Sequence, residues 1–157
     1  MKAIIVYFSY MGNTKKIAEM IHDKIGGDIV RVETIVPYGE DYNQVVNQGE
    51  DEVNHGFMPE IKPLDISIEN YDIVILGTPV WWYTFAPAIK TFITNNDLSR
   101  KKIYPFVTNG GWIGHTFKDI KNACVDSVVE KGINIRFDAT HLCTPISEIE
   151  KWIDRIK

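Results

Sequence analysis

Ser9, Asn13 and Thr14 stand around Gly12, between an apolar β-branched run from Ala3 to Phe8 and a stretch whose Ile17, Ile21 and Ile25 recur every four residues. Two hydroxyls and a carboxamide beside a glycine, where a strand gives way to a helix, suit anion binding. The first amides of a helix lack acceptors of their own, and the helix dipole places positive potential there. Glycine lets the chain turn tightly enough to aim several N–H groups at one point. Ser9-Tyr10-Met11-Gly12-Asn13-Thr14 therefore reads as a phosphate cradle, the alternative being an ordinary tight strand-to-helix turn. Gly26-Gly27 stops the helix that follows.

Two further stretches carry unusual residue types. Thr78-Pro79-Val80-Trp81-Trp82-Tyr83-Thr84-Phe85 places four aromatic residues in five positions. Such density is costly on a surface and reads as a packed cluster or partner interface, or as a wall for a flat ring. Stacking against such a wall gains about 0.5 to 1.5 kcal/mol beyond burial. Thr108-Asn109-Gly110-Gly111-Trp112-Ile113-Gly114-His115-Thr116 joins close-approach glycines to an aromatic residue and ends where a helix begins. His115 is read as a helix cap or a solvent-facing side chain, with proton delivery as the functional alternative.

Other chemistries are poorly served. These stretches hold no evident catalytic acid, base or nucleophile, and Lys15 and Lys16 follow the first turn as solvated residues on the helix. His22, His55, His115 and His141 show no metal-ligand spacing, and Cys124 and Cys143 suit neither a disulfide framework nor a zinc site. The chain has no nucleoside-triphosphatase phosphate loop, no cysteine in its first turn for a phosphatase, and Phe8-Ser9 where a receiver domain wants paired acids.

The elements that position these stretches alternate along the chain. Strands are expected over residues 3–8, 28–34, 72–77, 102–108 and 133–137, and helices after Gly12, over 41–53 and 87–95, from Thr116 and from Ser147. The second strand alternates enough for a sheet edge, while the first and third are continuously apolar, as buried parallel strands are. In the helices, Tyr42, Val45, Val46 and Val53 are expected inward, as are Phe117, Ile120, Cys124 and Val128. Ser147-Glu148-Ile149-Glu150 reads as a capping box ahead of Trp152, Ile153 and Ile156, and residues 56–70 read as an extended loop. Pro105 requires its strand to be paired on one side there, or bulged. The pattern predicts an α/β fold in three layers, a doubly wound parallel sheet of five strands whose three suspicious loops open at one end.

At 157 residues, 45% hydrophobic and 24% charged, the chain fits one α/β domain, residues 1–157, in the cytoplasm; it has neither a signal-peptide pattern nor a membrane-length apolar run. A net charge of −4 argues against nucleic acid. Between Ile35 and Asn70, eight acidic residues face the single basic Lys62, a solvated face or a docking surface for basic redox partners.

The first turn resembles the phosphate loop of the flavodoxin family, with Met11 where a threonine is typical. The resemblance covers essentially the whole chain and implies the strand order 2-1-3-4-5. It implies FMN as cofactor, its phosphate held by Ser9, Tyr10, Met11, Gly12, Asn13 and Thr14. Along the ring it places Thr78, Pro79, Val80, Trp81, Trp82 and Tyr83, then Thr108, Asn109, Gly110, Gly111 and Trp112. Trp82 and Tyr83 are the expected ring neighbours, Thr78 and Pro79 shape the turn, and Trp81 turns inward. The function implied is a low-potential electron carrier docking redox partner proteins near the flavin, as a monomer or weak dimer. A reductase taking hydride from NAD(P)H to quinones is the alternative. A flavin-free binding protein on the same fold is the third reading, and Met11 is its support.

Overall fold

The computed structural model describes residues 1–157. The apolar runs form a parallel sheet of β1 (Ala3–Tyr7), β2 (Asp28–Arg31), β3 (Ile73–Trp81), β5 (Lys102–Asn109) and β7 (Ile133–Asp138). Their order is β2-β1-β3-β5-β7, the expected 2-1-3-4-5 once three two-residue strands are set aside. Of those, β4 (Thr84–Phe85) turns back antiparallel on β3, β6 (Val128–Val129) runs parallel to β5, and β8 (His141–Leu142) turns back on β7.

Helices cover both faces because each carries one apolar stripe. On one face, Ile17, Ala18 and Ile21 of α1 (Asn13–Ile25) and Ile149, Trp152 and Ile153 of α5 (Ile146–Ile153) pack over Ile5, Ile75, Phe106 and Ile135. On the other, Ile89, Phe92 and Ile93 of α3 (Pro87–Asn95) and Ile120 of α4 (Thr116–Ala123) pack over Ile4, Val6, Val74, Leu76 and Val107. There α2 (Tyr42–Asn54) rests on β3 and α3. No helix is long and apolar enough to cross a membrane.

Several expectations need correction. β2 ends at Arg31, and beyond it Thr34 makes only an isolated antiparallel bridge to Ile61. In α2, Val45 is buried but Tyr42 is exposed, and Gly49 and Glu52 take the inward positions instead. α4 stops at Ala123, so Val128 does not continue its stripe and lies exposed in β6. The last helix has Pro145 at its N-cap with no side-chain cap, so the capping box does not form. Proline supplies the helical entry there without a donor. Pro105 is paired on one side: it faces Leu76 of β3, while on the other side β6 pairs only through Ile103 and β7 begins opposite Phe106. A missing amide donor thus falls in the gap between two short strands.

Candidate functional site

Gly12 sits at φ 96° as the N-cap of α1, and this turns the chain sharply enough to fold the preceding residues over the helix end. Inside the turn, Ser9 Oγ accepts from the Gly12 and Lys15 amides, each at 3.2 Å. The Asn13 carboxamide donates to the Ala139 carbonyl at 2.8 Å, and the Thr14 and Thr108 hydroxyls join at 2.7 Å in the interior. The three polar side chains therefore brace the turn against itself and its neighbours. What remains for a ligand is main chain: the amides of Tyr10, Met11, Asn13 and Thr14 have no acceptor in the protein. The Ser9 hydroxyl proton is also free, since its oxygen only accepts. An anion is the group such a cradle fits, and the substitution at Met11 removes none of these amides.

The second stretch is not a loop. β3 runs on to Trp81 and reverses through Trp82 and Tyr83, whose φ angles of 50° and 69° make a two-residue hairpin turn into β4. Such turns favour Asn-Gly because both central residues must be left-handed, so two aromatic residues here are strained. The hairpin is clamped from several sides. The Trp82 indole donates to the Val46 carbonyl of α2 at 2.8 Å, and the His115 amide donates to the Tyr83 carbonyl at 2.9 Å. Thr84 donates to Asp119 at 2.6 Å, and the same carboxylate pairs with His115. Trp81 turns inward as expected, edge-on to Tyr38 at 4.9 Å, Phe8 at 5.6 Å and Tyr10 at 6.2 Å. Burial pushes the Tyr38 phenol well above its ordinary range, and its 2.6 Å hydrogen bond to Glu52 adds to this.

Between these elements lies a cavity of about 600 Å³. Its walls include Ser9, Tyr10, Met11, Asn13 and Thr14 of the turn, Pro79, Val80, Trp81 and Trp82 of β3 and its hairpin, and Thr108, Asn109 and Gly110 after β5. All three sequence-predicted stretches thus meet in one place. Five predicted residues do not line it. Gly12 shapes the turn from behind, and Thr78 is fully buried, accepting from the Ala86 amide. Gly111 lies past the rim, as do Tyr83 and Trp112, which are 45% and 70% exposed and lean together with ring centroids 4.7 Å apart. Asn109 is committed to the fold, accepting from Gly111 and donating to Asn134 and Ile135.

Sequence reasoning missed the fourth wall, Tyr42, Val45, Val46 and Gly49 of α2, and the floor at Phe137 and Ala139. Gly49 was the available signal. A glycine inside a helix is disfavoured unless something approaches it, and a Cβ there would stand 3.2 Å from the Trp81 ring. Arg31 was missed as well: from the edge strand it donates to the Ser9 carbonyl at 3.0 Å.

The flavodoxin family model matches residues 2–156. A flavoprotein from Lactobacillus acidophilus, solved in complex with FMN, is 27% identical with a TM-score of 0.77 over 96% of this chain and 97% of its own. A Bacteroides eggerthii protein inferred to be a flavoprotein is 31% identical with a TM-score of 0.82 over 98% and 96%. BilS of Clostridioides difficile, described as a flavodoxin-like domain-containing protein, is 38% identical over 79 residues, 49% of this chain. The match spans 30% of that relative's length.

Proposed function

Because this chain belongs to the flavodoxin family, we propose that it binds FMN in the cavity and carries electrons at low potential between redox partner proteins. One observation carries the reading: four unpartnered amides ring the start of α1 and open into a cavity of about 600 Å³ walled by Trp81 and Trp82. A volume in this range suits a cofactor, and a cradle of N–H groups beside an aromatic wall suits one that ends in phosphate and begins in a flat ring. The Lactobacillus acidophilus flavoprotein, alike in fold over nearly its full length, binds that molecule.

The amides of Tyr10, Met11, Asn13 and Thr14 with the Ser9 hydroxyl would hold the phosphate, and Pro79 to Trp82 with Asn109 and Gly110 would flank the ring. FMN, when bound, supplies the electron-transfer chemistry. The protein's part is to orient it and exclude water from all but its edge. The acidic residues Glu40, Asp41, Glu50 and Asp51 on and before α2 would steer basic partners toward that edge.

The test is an absorption spectrum of the protein mixed with FMN and desalted. Retained flavin bands with quenched fluorescence support the reading, and a colourless protein sinks it in favour of a flavin-free binding role. The exposed Tyr83 and Trp112 rings at the rim favour a second reading, in which a planar acceptor such as a quinone stacks there and NAD(P)H is the donor. Steady NAD(P)H consumption with a quinone and no partner protein would select it.

A further inference from the structure

We infer that Arg31 is a positioning residue for the phosphate group and makes the cavity select FMN over riboflavin, an inference that rests on the FMN reading. The phosphate turn contains no cation, and Lys15, next on the helix, is engaged with Glu19 at 3.9 Å. Arg31 stands 22 residues away, at the end of β2, where it pairs with Tyr7 of β1. That register points its side chain along the α1 face of the sheet toward the turn. Its guanidinium has no carboxylate within 4.0 Å, and its one hydrogen bond goes to the Ser9 carbonyl at 3.0 Å.

The choice of acceptor matters. The Ser9 carbonyl and the Tyr10 amide belong to one peptide unit, and the Tyr10 amide is among those left without an acceptor. A cation bonded to the oxygen end polarises that unit and makes its N–H a stronger donor, because hydrogen bonds in series reinforce one another. It also adds positive potential behind a cradle otherwise built from neutral groups. Both effects act on a phosphate dianion and neither acts on riboflavin, which has the same ring and no phosphate. An arginine kept only to complete the edge strand would affect the two ligands alike.

The experiment titrates apoprotein with FMN and with riboflavin, following quenching of flavin fluorescence at low and at high salt. It uses wild type, Arg31→Met and Arg31→Lys. For Arg31→Met, FMN affinity falls roughly five-fold, the effect of one partly screened charge with its hydrogen bond, while riboflavin affinity stays at the wild-type value. The salt dependence of FMN binding flattens in the same variant, and Arg31→Lys recovers part of both. Equal losses for FMN and riboflavin, or no loss for either, overturn the inference and leave the FMN reading intact. Wild-type protein that binds neither flavin overturns both. Should Arg31→Met fail to fold, Arg31→Lys decides alone, because a salt slope and FMN-to-riboflavin ratio unchanged from wild type would contradict the role of the guanidinium bonded to Ser9.

Discussion

At the scale of single residues, the phosphate turn depends on backbone geometry more than on side-chain donors. Gly12 at φ 96° has nothing within 4 Å of where a Cβ would sit, so the cost of substitution there is conformational, not steric. An L residue pays about 1–2 kcal/mol for a left-handed backbone, and relieving that strain would turn the free amides out of register. Gly12→Ala should therefore weaken FMN binding at least ten-fold in a fluorescence titration, while Lys16→Ala, on the exposed side of α1, leaves it unchanged. Equal effects of the two changes would contradict an amide-built cradle. Ser9→Ala removes a hydroxyl that accepts from two amides, and about 1–2 kcal/mol of stability should go with it, measured by urea unfolding of the apoprotein. These residues were legible in the sequence because a strand, a glycine turn and a helix follow one another without interruption. Their roles were not, since nothing in the sequence says that Asn13 reaches Ala139 or that Thr14 meets Thr108.

At the scale of elements, the hairpin after β3 and the start of α4 behave as one unit. Gly114, at φ 57°, comes so close to Tyr83 that a Cβ would lie 2.4 Å from the Tyr83 Cβ and 2.5 Å from its carbonyl oxygen. That carbonyl also accepts from the His115 amide. Gly114→Ala must push the two elements apart, with a stability loss of more than about 2 kcal/mol and a loss of FMN affinity as Trp82 leaves the cavity wall. Gly111→Ala, with open space around it and no left-handed backbone, should leave the melting temperature of the apoprotein unchanged. A melting temperature for Gly114→Ala as unchanged as that of Gly111→Ala would show that the hairpin does not depend on Gly114. The five sheet strands were legible as short apolar or alternating runs, whereas their order followed only from the family resemblance, because a run of residues does not say which strand lies beside it. The hairpin was not, because aromatic residues at two left-handed positions break the turn chemistry by which hairpins are recognised. α2 was legible as a helix and not as a wall: its cavity residues Tyr42, Val45 and Val46 carry no mark separating them from core residues. Only Gly49 did, through the close approach of Trp81.

At the scale of the whole molecule, the interior shelters several groups that are neutral only while protonated. Burial pushes the Cys124 thiol, at the C-terminal cap of α4, from 9.0 up to about 11. Burial also raises the Tyr7 and Tyr38 phenols, and a hydrogen bond to Asp28 raises Tyr71. A group whose pKa is higher in the folded than in the unfolded chain stabilises the fold fully below its unfolded value. That contribution is lost as pH rises through its folded value. For Cys124 the window runs from 9.0 to about 11, and the contribution at stake is on the order of 2–3 kcal/mol. The urea midpoint of the apoprotein should thus hold level from pH 7 to about 9 and then fall steeply. In Cys124→Ala the midpoint starts lower, from lost packing, and the fall is shallower because only the phenols still drive it. Tyr38 ties this decline to the site, since its ring braces Trp81 and its hydroxyl already faces the Glu52 carboxylate. That phenol stays protonated in the fold across this range, so the wall holds until the chain itself unfolds, and bound FMN should be released within the alkaline transition and not before it. A midpoint level to pH 11, or flavin release complete by pH 9, would show that these groups do not hold the wall in place.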